Sequence, residues 1–131
     1  MKIAIAINEN LGPGFLANAT ACIASGLFNE EKDLLGPGIE GQYCDFIPIT
    51  KIPILICKQN NKPWDELLKR AKRNNLKYML FTKEGQSTTD YTAYVERVKG
   101  KSVKEVEVIG IGVLGEDEVV NKFAGDLPLL K

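Results

Sequence analysis

The run Lys2-Ile-Ala-Ile-Ala-Ile7 breaks into Asn8-Glu-Asn-Leu-Gly-Pro-Gly14, which opens into a long segment dominated by small residues. A β-branched run of this kind reads as a strand. Pro13 suits the first turn of a helix, where its missing N–H would be unpaired anyway. Leu16, Ala19, Thr20, Ile23 and Leu27 recur at helical spacing and predict a helix over Pro13–Phe28. Ala17, Ala21, Ala24 and Gly26 allow another layer to approach it closely. A strand that ends at a glycine turn and a helix start is where α/β proteins usually place ligands.

Extended and helical patterns then alternate. Glu30–Gly38 is polar and turn-rich, a loop or a short helical turn. Tyr43–Ile49 and Pro53–Cys57 are strand candidates, the second stronger because Ile54-Leu-Ile-Cys57 is a continuous apolar run suited to burial on both faces. Asn61 is a predicted cap before Pro63, with Trp64, Leu67, Leu68 and Ala71 at i, i+3, i+4 and i+7. Lys77–Thr82 reads as a strand. Thr88 or Thr89 opens a helix whose stripe, Tyr91, Tyr94, Val95 and Val98, should be buried. Glu105–Val113 is the last strand and Asp117–Phe123 the last helix, stopped by Gly125. This alternation predicts one α/β domain over residues 1–131, in three layers around a largely parallel or mixed sheet.

Composition narrows the chemistry. The chain is 44% hydrophobic and 26% charged, ordinary for a globular protein. No apolar run approaches the roughly 20 residues that span a bilayer, so no membrane partner is expected. Met1-Lys2-Ile3 runs straight into a strand pattern without a small-residue cleavage site, so a cytoplasmic location is expected. There is no histidine, which excludes a Ser-His-Asp triad, a Cys-His dyad, a His base and His-ligated zinc. No metal site or cofactor is expected. Cys22, Cys44 and Cys57 form no C-x-x-C pair and read as small buried hydrophobes rather than a disulfide framework. Cys22, on the helix after the glycine turn, is the one candidate nucleophile among them.

Gly12-x-Gly14-x-x-Ala17 has the letters of a dinucleotide fingerprint but not its context. Gly12 stands five residues beyond Ile7, Pro13 removes a backbone donor, and no acidic residue ends a second strand. Charge is uneven: residues 51–83 hold nine Lys or Arg against Asp65 and Glu66. Acids opening and bases closing one helix, with Asp65–Lys69 and Glu66–Arg70 at i,i+4, account for most of this. Nucleic acid is therefore disfavoured as a partner. Thr82-Lys-Glu-Gly-Gln-Ser-Thr-Thr89 follows a strand, so Lys83, Gln86 and Ser87 should lie at the sheet edge where ligands bind. Asn18 and Asn121 are polar residues on otherwise apolar or small-residue helices, more often structural hydrogen-bonders than ligand contacts.

These segments in this order resemble the type 2 peptidyl-tRNA hydrolase superfamily. The matching pieces are Lys2–Ile7 with Asn10-Leu-Gly-Pro-Gly14, the helix with Ala17 and Ala21, the loop around Gly85, Val108-Ile-Gly-Ile-Gly112, and Val120 through Leu130. Asn18-Ala19, Phe81-Thr82, Gln86-Ser87, Tyr91 and Asn121 through Leu130 are more similar still to a bacterial branch known only as a domain of unknown function. The resemblance implies a three-layer α/β/α fold on a four-stranded mixed sheet. It does not carry the hydrolase's chemistry over. Phe15 stands where the hydrolases have Lys, Ala19 for their glutamine, Cys22 for a histidine and Lys83 for their Asp, while Ser87 alone approximates their Thr. Losing a positive group and a carboxylate disfavours ester hydrolysis. The expected function is binding of a small polar or anionic ligand, or of a protein, at the former active-site edge. The residues for it are Asn10, Gly14, Asn18, Gln86, Ser87 and Asn121. The alternative is an enzyme with divergent chemistry built on Lys83, Ser87 or Cys22, and behind it a tRNA-ester hydrolase. A second copy of the chain is retained as a partner.

Overall fold

The computed structural model describes residues 1–29 and 31–131. Strand β1 (Lys2–Ile7) leads to helix α1 (Pro13–Phe28), a 3-10 turn at Lys32–Leu34, and a two-stranded ribbon of β2 (Ile39–Glu40) and β3 (Asp45–Phe46). Then come β4 (Ile54–Lys58), α2 (Trp64–Arg73), β5 (Lys77–Thr82), the single turn α3 (Lys83–Gln86) and α4 (Tyr91–Val98). A 3-10 turn at Val103–Glu105, β6 (Val108–Gly115) and α5 (Asp117–Ala124) complete the order. Residue 30, the first of the predicted turn-rich loop, lies outside the described residues.

The main sheet runs β4-β1-β6-β5. β1 and β4 are parallel, and β6 is antiparallel to both β1 and β5. The ends of β1, β4 and β5 and the start of β6 therefore share one edge. Backbone bonds tie the loops there: Asn8 N–H to the Ile109 carbonyl at 3.0 Å, Gln59 N–H to Ile7 at 2.9 Å, and Lys83 N–H to Glu107 at 2.8 Å.

β1 is buried on both faces, which is why it reads as an unbroken apolar run. Ala4 and Ala6 meet Leu67 and Ala71 of α2 and Val120 and Phe123 of α5. Ile3, Ile5 and Ile7 meet Ala19, Ile23 and Leu27 of α1. On β6, Gly110 and Gly112 face α1, and a Cβ on Gly112 would stand 2.2 Å from Ile23 Cγ2. Glycine here lets α1 settle onto the sheet, the close approach that its small residues anticipate. A register shift between Phe81 and Thr82 inserts Ile109 as an extra residue, turning it to the α1 side while Ile111 and Val113 line the other.

The segment Asp126–Leu130 closes the outer edge of β4. Lys58 N–H donates to the Pro128 carbonyl at 2.8 Å and Leu130 N–H to Ile56 at 2.9 Å, so the strand presents no free edge there. Asp126 fixes the approach of this segment. Its carboxylate accepts two bonds from the Arg70 guanidinium, at 2.7 and 3.1 Å, and lies 3.3 Å from Lys62 Nζ. The Arg70 bonds, with Lys62, hold the carboxyl at about 2.

Several expectations are corrected. Tyr43–Ile49 does not join the sheet, and only Asp45–Phe46 pairs, with Ile39–Glu40. Asn61 does not cap α2, which starts from Pro63 without a side-chain cap, while Asn61 itself is in a left-handed turn. Asp90, not Thr88 or Thr89, caps α4, accepting from the N–H groups of Thr92 and Ala93. Two-turn α4 packs on α3 rather than on the sheet, so Tyr91 is 76% exposed and Tyr94, Val95 and Val98 are only half-buried. β6 starts at Val108 because a capping box between Ser102 and Glu105 holds Glu105 in a 3-10 turn. Cys57 is buried, and that burial pushes its thiol up, but Cys22 and Cys44 are exposed. Among the described residues no helix is long and apolar enough to cross a membrane.

Candidate functional site

Gly12, the N-cap of α1, contributes no side-chain cap and Pro13 follows at N1, so side chains leave the start of the helix uncovered. Position 14 is open: a Cβ built there would meet nothing within 4 Å. One turn on, Asn18 is exposed on the same side. Across from it, Thr82 caps the turn Lys83–Gln86 by accepting from Gly85 N–H at 3.2 Å, which turns Gln86 toward α1. Gln86 Nε2 donates to the Phe15 carbonyl at 3.0 Å and to Asn18 Oδ1 at 3.1 Å. Both Nε2 protons are thus used. Asn18 Nδ2 and Gln86 Oε1 remain as an adjacent donor and acceptor.

These residues line a cleft of about 470 Å³ between Gly12 and Gln86. A second hollow of about 270 Å³, lined by Asn8, Leu11, Lys83, Glu107 and Ile109, shares Phe15 and Gln86 with it. Both fall at the strand-end edge. Two larger hollows lie elsewhere. One of about 510 Å³ holds Cys22 with Met79, Phe81 and Tyr91, and one of about 620 Å³ lies beside α2. Size alone would favour those, but of these four hollows only the Gly12–Gln86 cleft combines an uncovered helix start with the Asn18 and Gln86 amides.

Not every sequence-predicted residue arrives. Gly14, Asn18 and Gln86 come together. Asn10 sits exposed in the loop, its N–H held by Asn8 Oδ1 at 3.0 Å, and it is Asn8 that lines the adjoining hollow. Ser87 faces a separate shallow hollow with Lys83, Glu84, Arg97 and Glu107. Asn121 is on α5, across the sheet from α1, where Lys2 Nζ donates to its Oδ1 at 2.6 Å. Cys22 is in the hollow with Tyr91, apart from Asn18 and Gln86.

The amino-acid sequence matches the family model described as Protein of unknown function (DUF2000) over residues 1–131. The chain belongs to the DUF2000 family. A solved structure of a protein of unknown function from Agrobacterium tumefaciens is similar at a TM-score of 0.87 and 18% identity, covering 99% of this chain and 97% of that one. At that identity the likeness shows a shared fold. A comparison with curated proteins finds no match.

In this DUF2000 chain two of the three candidate catalytic groups, Lys83 and Ser87, are already engaged, while Cys22 is a free, exposed thiol. Lys83 Nζ lies 3.7 Å from Glu107 Oε2, both exposed. The Glu84 carboxylate accepts the Glu107 N–H at 3.0 and 3.1 Å. Arg97 Nη1 donates to the Glu84 carbonyl at 3.0 Å and to Ser87 Oγ at 3.2 Å. A guanidinium is a donor without a basic site, so Arg97 holds Ser87 without activating it. Arg97, Glu107 and Asn8 escape sequence reasoning, because nothing in their spacing announces that α4 and the start of β6 turn toward α3.

Proposed function

We propose that this chain is a non-hydrolysing relative of the type 2 peptidyl-tRNA hydrolases that binds a small amide- or carboxylate-bearing ligand at the Gly12–Gln86 edge. One observation carries it: Gln86 is locked by the Phe15 carbonyl and Asn18 Oδ1, and both amides line an open cleft with Asn18 Nδ2 and Gln86 Oε1 not used in that contact. A donor beside an acceptor complements the C=O and N–H of an amide. The uncovered first turn of α1 adds backbone N–H groups that favour a carbonyl oxygen or an anion. The mixed four-stranded sheet and its glycine turn support kinship with the hydrolases. Phe15, Ala19 and Lys83 at their catalytic positions favour binding over hydrolysis.

Native mass spectrometry of gently purified protein tests this. A small molecule should be retained by the wild-type chain and lost when Asn18→Ala and Gln86→Leu are combined. Retention of the same mass by the double variant would place the ligand elsewhere.

A further inference from the structure

The ribbon between α1 and β4 exposes more apolar surface than a monomer needs. Tyr43 is 99% exposed, Ile47 83% and Ile49 81%, with Ile39, Phe46 and Leu35 also exposed. At roughly 150–250 Å² per large side chain, they present on the order of 700 Å² together. The largest apolar patch on a typical monomer is about 300–600 Å², whereas one side of a standard protein interface is about 800 Å². The ribbon is nonetheless definitely shaped. Gly41 N–H donates to the Cys44 carbonyl at 2.8 Å, Tyr43 takes a left-handed φ of 62° at the tip, and the Phe46 ring covers Gly41 so closely that a Cβ there would be 2.3 Å from Cε2. Two strands alone are marginally stable in water.

Its charge is also unbalanced. Glu40 and Asp45 stand directly opposite one another in the β2–β3 register, a like-charge pair that is unfavourable without a cation nearby. Beside β5, an edge strand of the main sheet, lies the complement. The hollow of about 620 Å³ there has an apolar floor that includes Leu68, Leu80, Val98 and Val103, and a rim of Lys69, Lys72, Lys101 and Lys104, with Asp65 also on its lining.

We propose that the ribbon of one chain docks into the lysine-rimmed groove of a second copy, and reciprocally, forming a closed twofold dimer. Tyr43 and Ile47 meet the apolar floor, while Glu40 and Asp45 meet the lysines. The ribbon leads into edge strand β4 and the groove is lined by edge strand β5, so each protomer offers both halves of the contact, and a reciprocal exchange closes at two.

Size-exclusion chromatography with light scattering tests this on the wild-type chain and two charge-reversed variants, Glu40→Lys with Asp45→Lys, and Lys101→Glu with Lys104→Glu. All four positions are exposed, and circular dichroism would verify that both variants fold. The wild type should be a dimer at about 10 µM, and each variant should dissociate at least about tenfold more readily. An equimolar mixture of the two should recover the dimer, because each ribbon then faces a groove of opposite sign. A wild type that stays monomeric at about 100 µM, variants that dimerise like the wild type, or a mixture that stays monomeric would each overturn the proposal.

Discussion

Gln86 and Asn18 lie 68 residues apart in the chain, yet Gln86 Nε2 donates to Asn18 Oδ1 at 3.1 Å. The contact exists because the reversed strand β6 brings the end of β5 to the same edge as the end of β1. It couples the two amides that line the cleft.

Close approach of α1 to the sheet should make Gly112 intolerant of any side chain. A methyl group there would meet Ile23 Cγ2 at 2.2 Å and Leu27 Cδ1 at 3.0 Å. Gly112→Ala is expected to destabilise by about 1–3 kcal/mol, the usual cost of overpacking a core. Urea unfolding measures it, and a change below about 0.5 kcal/mol would mean that α1 stands further from β6.

On the opposite face, Leu67 is fully buried between α2 and the sheet. Leu67→Ala should cost about 2–5 kcal/mol. A loss within experimental noise would show that α2 presents a different face to the core.

Asp126 makes a pH-dependent prediction. Its folded value of about 2 lies below the ordinary 3.8. Its contribution is therefore fully present above about pH 4 and is lost as pH falls toward and through 2. The carboxylate is 48% exposed, so after solvent screening about 1 kcal/mol or less is expected at neutral pH. Denaturation of wild type and Asp126→Asn should show a stability gap that narrows between about pH 4 and pH 2. A gap independent of pH would assign the effect to something other than the Arg70 contact.

Hydrolysis offers a negative prediction. On the proposed kinship, which sets Phe15 and Lys83 in place of the hydrolase charges, and with Ser87 held by Arg97, peptidyl-tRNA should not be turned over above background. Turnover abolished by Ser87→Ala would overturn the non-hydrolysing reading.

Much of this fold is legible in the sequence where an apolar pattern meets a packed layer. β1, α1 and β5 fall on the predicted bounds because their apolar patterns face packed layers. The ribbon is misread because Tyr43–Ile49 has strand-like residues but pairs only with Ile39–Glu40 and not with the adjoining strand β4. The outer edge of β4 is already taken by Pro128–Leu130, a pairing between distant segments that local pattern cannot show. Tyr91 is misplaced for a related reason, since helical spacing reports a face without naming what covers it. At the site, the glycine turn and Asn18 announce themselves beside a strong strand. The Arg97 and Glu107 contacts depend on how α4 and β6 turn toward α3.

The amide pair is most directly tested by nuclear magnetic resonance of the side-chain amides during titration with N-acetylglycinamide. The Asn18 and Gln86 signals and the backbone amides of Gly14 and Phe15 should shift together along one saturable curve. Gln86→Leu should abolish that response while leaving the remaining spectrum in place. Signals at Asn18 and Gln86 that stay still while others move, or an unchanged response in Gln86→Leu, would contradict a ligand site at this edge.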